Sequence, residues 1–281
     1  MSRRNNLERT GAPQPDAPTP PTTEGSDLFA FVNPTVFVEL PSKGRFYLEN
    51  HPLNGEETIE IKHMTAKEED ILTSEALLKN ELAIDRLLES VIINKNIKVG
   101  SLLLGDKNAI LIASRITGFG PFYDVSTNCP SCYKKSDYTF NLEELKTQNI
   151  DELPEGVEHS GDGVFSFDLP TAKVKLFVKL LTSFDEKKLS KRLSSNTDKS
   201  SSTPVTDLLK SIIVGANEYT DKPTLHRFIG SLPIPDITYI RNLYDQIKPD
   251  VDLKFDFTCP LCDHEGKVVM PMTARFFWPN A

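Results

Sequence analysis

Apolar and polar residues alternate along Thr35-Val-Phe-Val-Glu-Leu40 and again along Glu57-Thr-Ile-Glu-Ile-Lys62. A period of two puts successive side chains on opposite faces of an extended chain, so both segments predict strands. Pro41-Ser-Lys-Gly44 turns the first, and Arg45-Phe-Tyr-Leu48 is expected to continue beyond the turn. At Thr65 the pattern changes. Thr65-Ala-Lys-Glu68 has the spacing of a capping box, in which Thr and Glu satisfy free amides at a helix start. The helix is expected to run to about Leu78, and a second to span roughly Leu82 to Ile93. A third follows Asp106, read as its N-cap, and carries Ile110, Leu111 and Ser114 towards Ile116. Phe122 to Thr127 and Ser136 to Leu142 alternate imperfectly and predict a hairpin.

The same order returns further along. Phe165 to Asp168 and Lys173 to Leu180 read as strands, and Ser183-Phe-Asp-Glu186 as a second capping box opening a helix through Leu193. Leu208-Leu-Lys-Ser-Ile-Ile213 matches Leu87-Leu-Glu-Ser-Val-Ile92. Asp236 is read as the cap of a helix ending near Ile247, and Asp252 to Phe257 with Lys267 to Met272 as a second hairpin. Gly100-Ser101-Leu102, Asp106, Ile110, Cys129 and Cys132 each recur as the same residue 130 positions later. The chain thus reads as an α+β protein of two pseudo-repeats, each of strand, helices and a zinc-knuckle hairpin, joined by a shared four-cysteine zinc-ribbon-like site. The expected organisation is a disordered proline-rich arm over 1–27, an N-terminal strand and extended segment over 28–56, repeat 1 over 57–150, repeat 2 over 160–273, and an aromatic tail over 274–281. The serine-rich stretch 194–203 is expected to be a flexible loop. In the tail, Phe276, Phe277 and Trp278 are expected to pack back on the core.

All four cysteines lie in two matched turns, Cys129-Pro-Ser-Cys132 and Cys259-Pro-Leu-Cys262. Two intervening residues make a tight turn that aims both sulfurs at one point, and the proline presets part of it. Two such pairs supply the four thiolates of a tetrahedral structural zinc site, whose closed shell leaves no position for a reacting water. The metal ligands are therefore expected to be Cys129, Cys132, Cys259 and Cys262, with one structural zinc ion (Zn2+) per chain. Disulfides, a redox dithiol pair and plain reduced thiols remain as alternatives, and His264 could replace a thiolate.

Composition narrows the function. A net charge of −8 and a pI near 5.3 argue against a general binder of nucleic acid or membrane surfaces. The first residues are not an apolar run, so no secretory signal is expected. The apolar stretch Ala109 to Ala113 is too short to span a bilayer. There is no phosphate-binding glycine loop, no Gly-x-Ser-x-Gly elbow and no His-Glu-x-x-His, and the five histidines are scattered. No enzyme, small-molecule substrate or organic cofactor is expected.

Leu40-Pro-Ser-Lys-Gly-Arg-Phe-Tyr47, Thr58-Ile-Glu-Ile-Lys-His-Met-Thr-Ala-Lys-Glu-Glu-Asp-Ile-Leu72 and Asp106-Lys-Asn-Ala-Ile110, followed by a Cys-Pro-x-Cys turn, resemble the baseplate hub assembly proteins of T4-type contractile-tailed phages. The likeness is strongest from about residue 34 to the first thiol hairpin. It implies a non-enzymatic assembly factor or minor structural protein of the hub, with other baseplate hub proteins as partners. It also implies a place in the host cytoplasm during assembly, or in the virion tail baseplate. The arm and the 194–203 loop are not matched by this resemblance. A zinc-ribbon module that binds nucleic acid is the competing reading. Lys134-Lys135 at the first turn suits it; Asp263-His264-Glu265 at the second does not.

Overall fold

The computed structural model describes residues 33–79, 82–148, 150–195, 204–270 and 276–277. The arm over 1–27, most of the 194–203 loop and Trp278 lie outside them. Strands β1 (Thr35–Glu39) and β2 (Thr58–Lys62) pair antiparallel, with Val36 opposite Ile61 and Val38 opposite Ile59. These four side chains turn inward, and Phe37 stays outside. Between the strands the chain turns at Lys43 and Gly44, both at positive φ. A Cβ on Gly44 would lie 2.4 Å from the Glu56 nitrogen, so only glycine fits there. Arg45 to Leu48 is not the expected strand extension. It is a run of turns that buries Phe46 and Tyr47.

Helix α1 (Ala66–Thr73) ends at Ser74, whose extended backbone breaks the single helix expected to Leu78 into α1 and α2 (Glu75–Lys79). Helix α3 (Ala83–Val91) buries Leu87, Leu88 and Val91, and Ile92 leaves it to bridge Ile61 of β2. The capping box at Thr65 is present, and Glu68 within it is wholly buried. Burial alone would raise its pKa, but hydrogen bonds from Lys62 (2.7 Å), Ser90 (2.5 Å) and Thr65 hold it down at about 2. A carboxylate whose pKa is lower folded than unfolded contributes stability at neutral pH that is lost as pH falls from about 4.5 towards 2. Glu68→Gln should therefore flatten the acid limb of a urea-midpoint against pH profile in that window. An unchanged limb would show that other carboxylates set it.

Helix α4 (Leu104–Phe119) corrects the reading of Asp106. Its N-cap is Leu103, and Asp106 sits inside the first turn with its side chain fully buried. There it accepts hydrogen bonds from the Ser42 amide, the Ser42 hydroxyl and the Tyr47 hydroxyl. Hairpin strands β3 (Phe122–Asn128) and β4 (Lys135–Asn141) follow, then β5 (Lys146–Gln148).

The second half opens with β6 (Glu158–Gly161), β7 (Val164–Asp168) and β8 (Lys175–Lys179). Helices α5 (Ser183–Ser195) and α6 (Pro204–Ile212) lead to β9 (Ile213–Ala216), which completes an antiparallel sheet of order β6-β7-β8-β9. The α5 cap is not Ser183 with Glu186. Thr182 and Asp185 form it, one residue earlier, and Asp185 also holds Lys179 at 2.7 Å. Glu186 instead pairs with Lys107 of α4.

Helix α7 (Lys222–Ser231), capped by Asp221 with Pro223 in its first turn, has no counterpart in the sequence reading. Helix α8 (Ile234–Ile247) follows, and Asp236 is again no cap: it is buried inside the first turn and accepts the amides of Thr171 and Ala172. The last strands are β10 (Asp250–Asp252), paired with β5, and the hairpin β11 (Lys254–Thr258) with β12 (Glu265–Val269).

One hydrophobic core runs through both halves, joining Ile61, Leu88 and Ile110 to Phe165, Leu176 and Ile240. Backbone hydrogen bonds cross the seam from Leu104 to Leu181 and from Ser183 to Leu102, and Lys187 pairs with Asp85. A Cβ on Gly105 would lie 2.1 Å from the Pro249 carbonyl oxygen, so this glycine lets α4 meet the chain after α8 backbone to backbone. Phe276 and Phe277 are buried, as expected for the tail, and Phe276 meets Tyr123 edge to face. Its carbonyl accepts from the buried Arg115 guanidinium at 2.7 Å.

Candidate metal centre

Each thiol turn closes the end of a hairpin. In the first, the Cys129 amide donates to the Lys134 carbonyl and the Tyr133 amide to the Cys129 carbonyl, with Tyr133 at φ 59°. In the second, Cys259 donates to His264 and Asp263 to Cys259, with Asp263 at φ 52°. The left-handed residue directly after each second cysteine folds the turn back, so both sulfurs of a pair lie on one side. The Ser131 and Cys132 amides point at the Cys129 sulfur, at 3.4 and 3.5 Å.

The hairpins meet through aromatic side chains on alternate positions of β4 and β11. Ring centroids of Phe140 and Phe255 are 4.4 Å apart, and those of Tyr138 and Phe257 are 4.7 Å apart. This clamp brings the four sulfurs together. Cys129 Sγ lies 3.7 Å from Cys262 Sγ, Cys132 Sγ lies 3.9 Å from Cys259 Sγ, and all four fall within 4.8 Å of one another. Four bonds of about 2.3 Å in a tetrahedron place sulfurs about 3.8 Å apart. The donor set and its spacing therefore fit a metal ion. These separations are well beyond a bonded S–S distance, and all four cysteines are free.

Cys129 and Cys259 are buried against Phe257, Cys132 is half-buried and Cys262 is exposed. Burial raises the Cys129 pKa, but the Cys132 and Ser131 amides and the sulfurs of Cys132 and Cys259 lower it to about 6. At Cys262 a hydrogen bond from the His264 amide favours the thiolate, yet the three neighbouring sulfurs, with some desolvation of its own sulfur although the residue is exposed, push the thiol up to about 12. Four thiolates at this spacing repel one another, and a divalent cation at their centre would remove the conflict. His264 lies outside the cluster, and among the described residues no other set of His, Cys, Asp and Glu converges in this way.

The sequence reading found the four cysteines but missed the aromatic clamp. The spacings Tyr138-x-Phe140 and Phe255-x-Phe257, just inside each hairpin, were the available signal.

Fold and site together define a mixed α+β protein with eight helices and several small sheets among the described residues, whose two thiol hairpins bring four cysteines into one cluster able to hold a metal ion. The chain belongs to the family described as T4 bacteriophage base plate protein, whose sequence model matches residues 33–278. It is thus a T4-type phage baseplate protein. No curated protein and no solved structure shows a significant match. No helix among the described residues is long and apolar enough to cross a membrane.

Proposed function

We propose that this chain is a non-enzymatic assembly factor or minor structural protein of the baseplate hub, built from two duplicated halves held together by one structural zinc. The observation that carries the metal assignment is the approach of four sulfurs from two turns that stand 126 residues apart in the chain. Cys129, Cys132, Cys259 and Cys262 would be the ligands. A closed four-thiolate shell gives the metal a role in folding and none in turnover.

Duplication is supported by features that share a role in each half. Leu40-Pro41 and Leu169-Pro170 leave β1 and β7, and Lys43 and Lys173 follow at φ 49° and 53°. Asp106 and Asp236 each accept amides from those turns. Lys62, Thr65 and Glu68 make the contacts that Lys179, Thr182 and Asp185 make. Ile92 joins β2 as Ile213 joins β8. These matches extend the first unit upstream of 57–150 to take in β1 and its turn, the counterparts of β7 and its turn within 160–273, and 274–281 closes the second unit.

The baseplate family supports the general role, and the hub assignment rests on the resemblance of residues 40–47, 58–72 and 106–110, with other hub proteins as partners. A phage with a stop codon early in this gene tests it. Under restrictive conditions, lysates should hold outer baseplate parts and no complete hubs. Complete hubs in normal amount would refute the assignment.

A further inference from the structure

In a chain of net charge −8, one cleft is strongly basic. It lies among α5, α6, α7 and the ends of β8 and β9, and encloses about 240 Å³. Lys188 and Arg192 reach it one turn apart on α5, Lys210 from α6, Lys222 from the start of α7 and Lys179 from β8. The single carboxylate of the lining among the described residues, Asp185, is tied to Lys179 at 2.7 Å. Ile213 and Leu225 form an apolar floor. Lys188, Lys210 and Lys222 make no ion pair among the described residues. Lys188 Nζ lies over the Phe184 ring, 4.1 Å from its centroid.

Other cations of the chain have partners, as Lys179 does in Asp185. Lys62 is bound to the buried Glu68, and Lys95 donates to the carbonyls of Glu89, Ser90 and Ile92. Like charges gathered around a concavity repel one another, and an anion placed between them relieves that repulsion.

We infer that this cleft is a docking site for a carboxylate-rich segment of a neighbouring baseplate protein, its side-chain carboxylates received by Lys188, Lys210 and Lys222 over the apolar floor. Three observations favour an acidic peptide over nucleic acid. The cations converge on a small hollow instead of forming a stripe that could follow a phosphate backbone. Among the described residues no Phe, Tyr or Trp lines the cleft to stack a base, and Lys188 covers one face of the nearby Phe184 ring. The family's setting is a protein assembly, so the partner at hand is protein.

The test titrates the full-length protein into a fluorescent peptide of six glutamates, with a short oligothymidylate as the competing probe. The expected result is saturable peptide binding that weakens with salt and falls about tenfold or more in Lys188→Glu/Lys210→Glu. It should stay unchanged in Lys254→Glu/Lys267→Glu, a charge reversal of equal size on the β11–β12 hairpin. Matching thermal melts of the two double variants exclude misfolding, since Lys188 is exposed and Lys210 half-buried. No peptide binding at low salt, or equal loss in both variants, would overturn the site. Tighter, Lys188-dependent binding of the oligothymidylate would overturn its assignment to a protein partner.

Discussion

Cys129→Ser and Cys259→Ser should destabilise the protein to the same extent, although the two residues stand 130 positions apart. Each substitution removes one of four donors from a single cluster whose members lie within 4.8 Å of one another. Binding energy at a structural zinc is folding energy, on the order of 10 kcal/mol for a complete site. An incomplete shell forfeits a large part of it. The expected loss is about 3–5 kcal/mol for either variant, or roughly 10 °C in Tm for a domain of this size. Hydrogen exchange should rise first in β3–β4 and β11–β12, because Phe140–Phe255 and Tyr138–Phe257 are then left to hold the hairpins together. Native mass spectrometry of the reduced wild type should show one zinc per chain, lost on chelation together with the compact charge-state envelope. A silent Cys129→Ser beside an unfolded Cys259→Ser would exclude a shared site, and a compact metal-free wild type would exclude a structural metal.

Asp106→Ala should cost about 3–5 kcal/mol through a different mechanism. The carboxylate is fully buried and accepts the Ser42 amide at 3.0 Å, the Ser42 hydroxyl at 2.6 Å and the Tyr47 hydroxyl at 2.7 Å. Tyr47 in turn accepts the Leu103 amide at 3.1 Å, so one side chain ties the turn after β1 to the start of α4. Burial pushes the Asp106 pKa up while the Ser42 and Tyr47 hydrogen bonds pull it down. Removing the carboxylate leaves buried donors without an acceptor, and each such group costs about 1–3 kcal/mol. Asp106→Asn keeps one acceptor oxygen and should lose less. Asp236→Ala orphans two amides, not three donors, and should fall between the two. Urea unfolding measures all three. A loss below about 1 kcal/mol for Asp106→Ala would mean that the turn relaxes and finds water.

Both aspartates show why local reading misplaced a role. A short polar residue just before an apolar helical run has the sequence signature of an N-cap, and only the partner it meets can decide otherwise. Those partners, Ser42 and Thr171 with Ala172, lie about 65 residues away. The same limit explains the one-residue error at α5. Thr182-x-x-Asp185 and Ser183-x-x-Glu186 are both acceptable boxes, and the choice came from Lys179 claiming Asp185 and Lys107 claiming Glu186. Helix α7 escaped notice although Asp221, with Pro223 in the first turn, marks its start.

Short-range chemistry was enough for the β1, β2, β7 and β8 strands, the capping box at Thr65, both thiol hairpins and the four cysteines. Each depends on residues within a few positions of one another, where alternation, tight-turn spacing and cap geometry act directly. Long-range packing alone chose the rest. It paired β5 with β10, set Phe140 against Phe255 so that distant thiols share one centre, and gathered lysines of three helices around one hollow. Such contacts depend on which surfaces remain unburied once the local elements exist, and that is settled only when the whole core closes.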